Sequence, residues 1–440
     1  MAGGNLMVYE ETSGDIQMAF VGDALVTRRL NAHREPAFLA MKDILTSADV
    51  TFANAETLFH NFEASPIPDA GPYGTYASCD PMVIDDLKAL GIDMVSTANN
   101  HCYDYGEEGI LINLRNLREH GMPAAGTGLN LSEAVAPAYL DTAKGSVALM
   151  GVTLTMPPQD HRAGDPRGIV KGRPGANVLR HTVTHKVPQE VVEHFRDLAQ
   201  NLGLAGPQFS ENNGDVRFLG QRFQVAEEYS KTTKANEHDL QLNLRWVADA
   251  RRFADWVVVS MHGHERGKTA EHPPDFAQDF AHGCIDAGAD VVFGHGPHRE
   301  RGIEIYNGKP IIYALGDFIL HNELIKWEPA ELFDRFGLGP NATTADAYEA
   351  RSRGRRGALP DRIQYESAIV TADFKAGALF ELRVYPLDLG YSTGKLSQMG
   401  RPVLASGEVA DAVLERVIRL SREFGTNIER NGDCAVVKIG

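Results

Sequence analysis

Six short apolar runs in this chain each end on side chains that can bind a metal, and that recurrence constrains the fold more than any other feature. Ile16–Val21 (IQMAFV) is followed by Gly22-Asp23, and Asp49–Ala53 (DVTFA) by Asn54 and Glu56. Met94–Thr97 (MVST) leads to Asn99, Asn100, His101 and Asp104, and Trp256–Met261 (WVVVSM) to His262, His264 and Glu265. Asp290–Phe293 (DVVF) is followed by His295 and His298, and Pro310–Leu315 (PIIYAL) by Gly316-Asp317. Runs this short and rich in β-branched residues read as buried strands. In an α/β sheet the ligand crevice lies at the carboxyl ends of the strands. The pattern therefore aims oxygen and imidazole donors at one place. Mixed donors of that kind suit divalent transition metals, and two such cations can clamp both oxygens of a displacement.

Amphipathic segments lie between the strands. Ala37–Ala48, Pro81–Leu90 and Gly109–His120 carry apolar residues at helical spacing. Strand–helix alternation predicts an α/β layered fold. The stretch 155–235 breaks the rhythm: it is rich in Pro, Gly and His, and its one helical segment is Pro188–Leu202. It reads as an insertion or lid over the working edge of the sheet. A second irregular stretch, 320–360, contains Arg351, Arg353, Arg355 and Arg356, which read as a solvated basic loop. Beyond it, Ser367–Phe374 and Leu379–Pro386 read as antiparallel strands and Val409–Phe424 as an amphipathic helix. The expected organisation is one domain over 14–390, with a helix and strand from 391–440 packing on it.

With 43 basic and 59 acidic residues among 440, the net charge is −16, which argues against binding nucleic acid or an anionic membrane. Four separated cysteines form neither a zinc knuckle nor a disulfide framework. No run reaches the ~18–20 apolar residues of a membrane span. The first residues resemble no signal peptide, so a cytoplasmic protein is expected. There is no nucleophile elbow, P-loop or dinucleotide fingerprint. His181 and His185 in the insertion read as part of a solvated face.

Taken in order, Gly22-Asp23, Asn54-x-Glu56, Asn99-Asn100-His101-x-x-Asp104, His262-x-His264-Glu265, His295-x-Pro297-His298 and Gly316-Asp317-Phe318 resemble the CapA family. That family is named for poly-γ-glutamate capsule biosynthesis and is a branch of the calcineurin-like metallophosphoesterases. The resemblance implies two stacked mixed β-sheets flanked by helices, with the metals at the strand ends. It implies one or two divalent ions (Mn, Fe or Zn). Asp23 and His298 would bind the first metal, Glu56 would bridge, and Asn100, His262 and His295 would bind the second. His101 would be an outer-sphere general acid oriented by Asp104, with His264 a further proton-moving candidate. Leu25 stands where the wider superfamily has His, and Asp317 where this branch commonly has Asn.

The function expected is metal-dependent hydrolysis, a metal-bound hydroxide attacking a phosphoester or amide-like bond of a small-molecule or oligomeric soluble substrate. The alternatives are a metal-dependent lyase acting on a small metabolite and a non-catalytic binding module. Oligomeric state stays open.

Overall fold

A computed structural model describes residues 14–30, 32–68, 75–156, 160–212, 214–351, 361–395 and 398–439. Arg353, Arg355 and Arg356 of the basic run lie outside the described residues.

The chain starts with β1 (Ile16–Leu25), α1 (Pro36–Ser47), β2 (Val50–Asn54), α2 (Val83–Leu90), β3 (Met94–Ser96) and α3 (Gly106–Glu119). Next come β4 (Gly145–Thr153), α4 (Gln189–Leu202), α5 (Glu237–Ala250), β5 (Trp256–His262), α6 (Asp275–Ala287) and β6 (Val291–His295). The remainder includes β7 (Lys309–Ile312), β8 (Asp317–Leu320), β9 (Glu366–Lys375), β10 (Ala378–Asp388), α7 (Gly407–Arg422) and β11 (Cys434–Lys438). A ten-stranded mixed sheet contains the run β11-β10-β9-β1-β2-β3, with β8 also paired to β1. A six-stranded sheet contains the parallel run β7-β6-β5-β4.

The two sheets stack on a shared core, because their inward positions are all apolar. Met18, Phe20, Phe52 and Met94 of the larger sheet meet Leu149, Val258, Val291 and Phe293 of the smaller. The Phe20 and Phe52 rings stack at 5.2 Å, and Phe293 lies 5.3 Å from Phe20. Truncating a buried Phe here would cost roughly 3–5 kcal/mol. Helices cover both outer faces. Pro36 opens α1 with its φ preset for a helix. One turn apart in α1, Phe38, Met41 and Leu45 bury against the larger sheet. Across the molecule Phe276, Phe280 and Cys284 of α6 do the same against the smaller. The result is the metallophosphoesterase-like layered fold, helix–sheet–sheet–helix.

Two expectations need correction. Pro310–Leu315 is not one strand. The chain leaves the six-stranded sheet at Ile312, turns at Gly316 (φ 79°), and enters the ten-stranded sheet as β8, parallel to β1. Asp317 thus opens a strand. The stretch 155–235 is also more ordered than its composition suggested. It contains a small five-stranded sheet covered by α4, with Val187, Val192 and Val216 as a minor core. Those strands are short and largely polar, so they carry no strong alternation.

Candidate metal centre

The strand ends of both sheets converge because the backbone there has no room to spread. A Cβ on Gly22 would stand 1.8 Å from the Gly316 carbonyl oxygen, so only glycine lets β1 and the β8 turn touch. The Asp23 N–H donates to that carbonyl at 3.1 Å. Register then places Asp23 beside both Asn54 and Asp317, and His262 beside His295. Gly296, at φ 114°, joins the sheets by donating its N–H to Asp23 Oδ2 at 2.7 Å.

Two neighbouring donor groups result. In the first, one ligand atom each from Asp23, Glu56, His298 and Asp317 lies within 4.8 Å of the others. Asp317 Oδ1 holds His298 Nδ1 at 2.8 Å, and Asp317 Oδ2 is buried without a hydrogen-bond partner. The second group surrounds His262 Nε2. Asn100 Oδ1 lies 2.7 Å away, His264 Nε2 3.3 Å and Glu56 Oε1 3.6 Å. Glu56 belongs to both groups. A third, overlapping cluster joins Asp23, His262 and His295. In it His295 Nδ1 is 3.2 Å from Asp23 Oδ1 and 3.0 Å from His262 Nδ1, while its Nε2 faces the Ser260 hydroxyl at 2.7 Å. Asn54 donates to Asp23 Oδ1 at 2.6 Å, and Asn99 donates to Asn54 at 3.2 Å, which fixes that wall.

The electrostatics are those of a site built around positive charge. Burial pushes the Glu56 carboxyl well above the usual range, reinforced by Asp23, Asp317 and Asp104. Neither Glu56 oxygen has a hydrogen-bond partner, although both are buried. Such a group costs free energy unless a cation sits against it. For Asp23, burial opposes ionisation, but His262 and His295 outweigh it and hold the carboxyl well below the usual range. Burial drives His262 down to about 4 against the pull of Asp23, and drives His264 well below its ordinary value. Both imidazoles are thus held neutral, the form that ligates metal. His298 differs: burial lowers it, but Asp317 prevails and raises it to about 9. Mixed carboxylate, amide and imidazole donors fit one or two divalent cations.

His101 lies beside this cluster. Its Nδ1 is 2.8 Å from Asp104 Oδ2, and the same oxygen accepts the Ala77 N–H at 2.8 Å. Burial raises the Asp104 carboxyl, opposed by His101. Asn100, His101, His264 and His298 all line one cleft of about 930 Å³.

The structure therefore gathers Asp23, Glu56, Asn100, His101, Asp104, His262, His264, His295 and His298 at one end of the sheets. His264 stands among the ligand atoms rather than apart from them. The sequence placed Asp317 among the strand-end donors without giving it a ligand role, and it did not mark Ser260 at all. An acid directly after the Gly316 turn was the available signal for the first.

The fold is metallophosphoesterase-like, and its strand ends carry residue groups that could hold a metal ion. The chain is a member of the bacterial capsule synthesis protein PGA_cap family, whose model matches residues 17–322. Two proteins of Sinorhizobium fredii, the uncharacterized y4sH and y4uA, are 37% identical to it over 433 residues, spanning 96% of this chain and 93% of their own. The PGA biosynthesis protein CapA of Bacillus subtilis is 22% identical over 311 residues, covering 69% of this chain and 63% of its own length.

Proposed function

We propose that this protein is a metal-dependent hydrolase of the CapA type, cleaving a phosphoester or amide-like bond of a soluble substrate. The observation that carries the proposal is Glu56: its buried oxygens have no hydrogen-bond partner, it groups with Asp23, His298 and Asp317, and its Oε1 lies 3.6 Å from His262 Nε2 and 4.0 Å from His264 Nε2. Asp23, Glu56, His298 and Asp317 would hold one cation. Glu56, Asn100, His262 and His264 would hold the other. His295, engaged by Ser260 through Nε2, would orient Asp23 and His262 rather than bind. Cations bound there would supply Lewis-acid polarisation and lower the pKa of a water nucleophile.

The remaining chemistry falls to His101. With Nδ1 held by Asp104, its Nε2 can carry a proton to the leaving atom. The Ala77 N–H pins Asp104, so the ring cannot swing away from the cleft. The name of the Bacillus subtilis relative supports a CapA-type role. Among the described residues no helix is long and apolar enough to cross a membrane.

The test is turnover of a panel of aryl phosphates and γ-glutamyl anilides by chelator-treated protein, with and without added Mn²⁺. Metal-dependent release of the aryl product from either series is expected. A protein that takes up metal yet cleaves neither series, while eliminating a group from a small hydroxy acid, would be a lyase and would overturn the proposal.

A further inference from the structure

The cleft beside the donor groups is lined by three arginines, Arg266, Arg299 and Arg351. They are not equivalent. Arg351 is spoken for: its guanidinium pairs with Glu323 at 2.7 Å and donates to Thr75. Arg299 is not. Its Nε is buried without a hydrogen-bond partner, and among the described residues its one ion pair is a loose 3.8 Å approach to Asp361, a carboxylate 62% exposed. An ion pair that long to an exposed group contributes little. Arg266 is exposed, and its guanidinium makes no ion pair among the described residues. In a chain of net charge −16, this cleft thus keeps two uncommitted guanidinium groups.

Their placement is specific. Arg299 directly follows His298, and Arg266 follows His264 by two residues. The His264 and His298 rings lie 5.2 Å apart, so both arginines rise from backbone flanking the donor groups. The cleft's lining also includes Phe336, Ala350 and Gln364, and the carboxylates of Glu323 and Asp361. These lie beyond residue 322, where the family match ends. Leu25, Pro297 and Leu320 add apolar lining.

A guanidinium presents a planar fork of donors that matches an oxyanion with two oxygens. A buried N–H left unpaired is costly, and a ligand oxygen would satisfy it. We propose that Arg299, assisted by Arg266, forms an oxyanion subsite in this cleft, and that the substrate carries a carboxylate or phosphate group set apart from the bond that breaks. This rests on the cleft being the active site, as proposed above. The subsite is made by side chains alone, so it binds anions without metal.

Isothermal titration of the chelator-treated full chain with glutarate, and separately with inorganic phosphate, tests it. At least one anion should bind, and the stronger identifies the group preferred. Arg299→Met should weaken that binding by about tenfold or more, and Arg299→Lys by less, because charge remains while the fork is lost. Circular dichroism checks folding. Should Arg299→Met unfold, exposed Arg266→Met carries the test, with a loss of about threefold or more expected. Binding of neither anion to metal-free protein, or equal binding by wild type and variants, would overturn the proposal. Metal content of the same samples separates the two proposals. Metal uptake without anion binding sinks only the subsite, and anion binding by protein that takes up no metal sinks only the hydrolase.

Discussion

Replacing Glu56 by Gln should make the metal-free protein no less stable and the metal-loaded protein much less so. The reason is the position of the carboxyl. It is fully buried, with Asp23 and Asp317 raising its cost of ionisation, and neither oxygen is hydrogen-bonded. Without metal, Gln removes a charge that burial penalises. With metal, Gln removes the oxygen shared by both donor groups. A ligand at ~100 times its dissociation constant stabilises the folded state by about 2.7 kcal/mol. For a chain of 440 residues that is a rise in Tm of roughly 3 °C. Scanning calorimetry of chelated and Mn²⁺-supplemented protein measures it. Wild type should gain the full increment, and Glu56→Gln less than about a third of it. If the chelated variant melts well below chelated wild type while keeping the Mn²⁺ increment, Glu56 is a packing residue and the argument fails.

Further outcomes follow from the same geometry. His101→Ala should keep its metal but lose about 10²–10⁴-fold in turnover, with the smallest loss on substrates with good leaving groups. Loss of metal instead, by elemental analysis, would make His101 a ligand. Asp317→Ala should lower metal content by about one ion per chain at most, because it removes one oxygen and frees His298. Unchanged stoichiometry and affinity would confine Asp317 to packing. Glu328 is held by Tyr348 at 2.9 Å, and burial raises its carboxyl to about 8. The folded state therefore keeps a proton that the unfolded chain releases near ~4.3, so stability should fall as pH rises from about 4.5 toward about 8. Glu328→Gln should flatten that slope by about 1 kcal/mol, the residue being only partly buried, as urea melts across the range would show.

Much of the site was legible because strand ends are legible. A β-branched run followed at once by Asp, Asn or His is unusual, and strand polarity sends all such ends to one edge. What stayed hidden depended on contacts between sheets. Gly316-Asp317 read as the close of a strand, since no local signal says that the chain changes sheets there; the close approach of Gly22 dictates it. His295 read as a strand-end ligand, and the Ser260 hydroxyl at 2.7 Å from its Nε2 is a contact that no sequence signal marks. His264 read as a proton carrier, and its Nε2 lies 3.2 Å from Asn100 Oδ1, a placement set by the fold and not by local sequence. The sheet inside 155–235 escaped notice because its strands are largely polar and few of their side chains are fully buried, leaving no apolar face with a period of two.

The central claim is that Glu56 joins two cation sites. Anomalous diffraction from crystals of protein purified without chelator and soaked in Mn²⁺ tests it most directly. Two peaks roughly 3.5–4 Å apart are expected, with Glu56 reaching both, the first also ligated by Asp23 and His298 and the second by His262 and His264. Absence of any peak near Glu56, in protein that elemental analysis finds to hold less than about a tenth of an equivalent of metal after soaking, would contradict it.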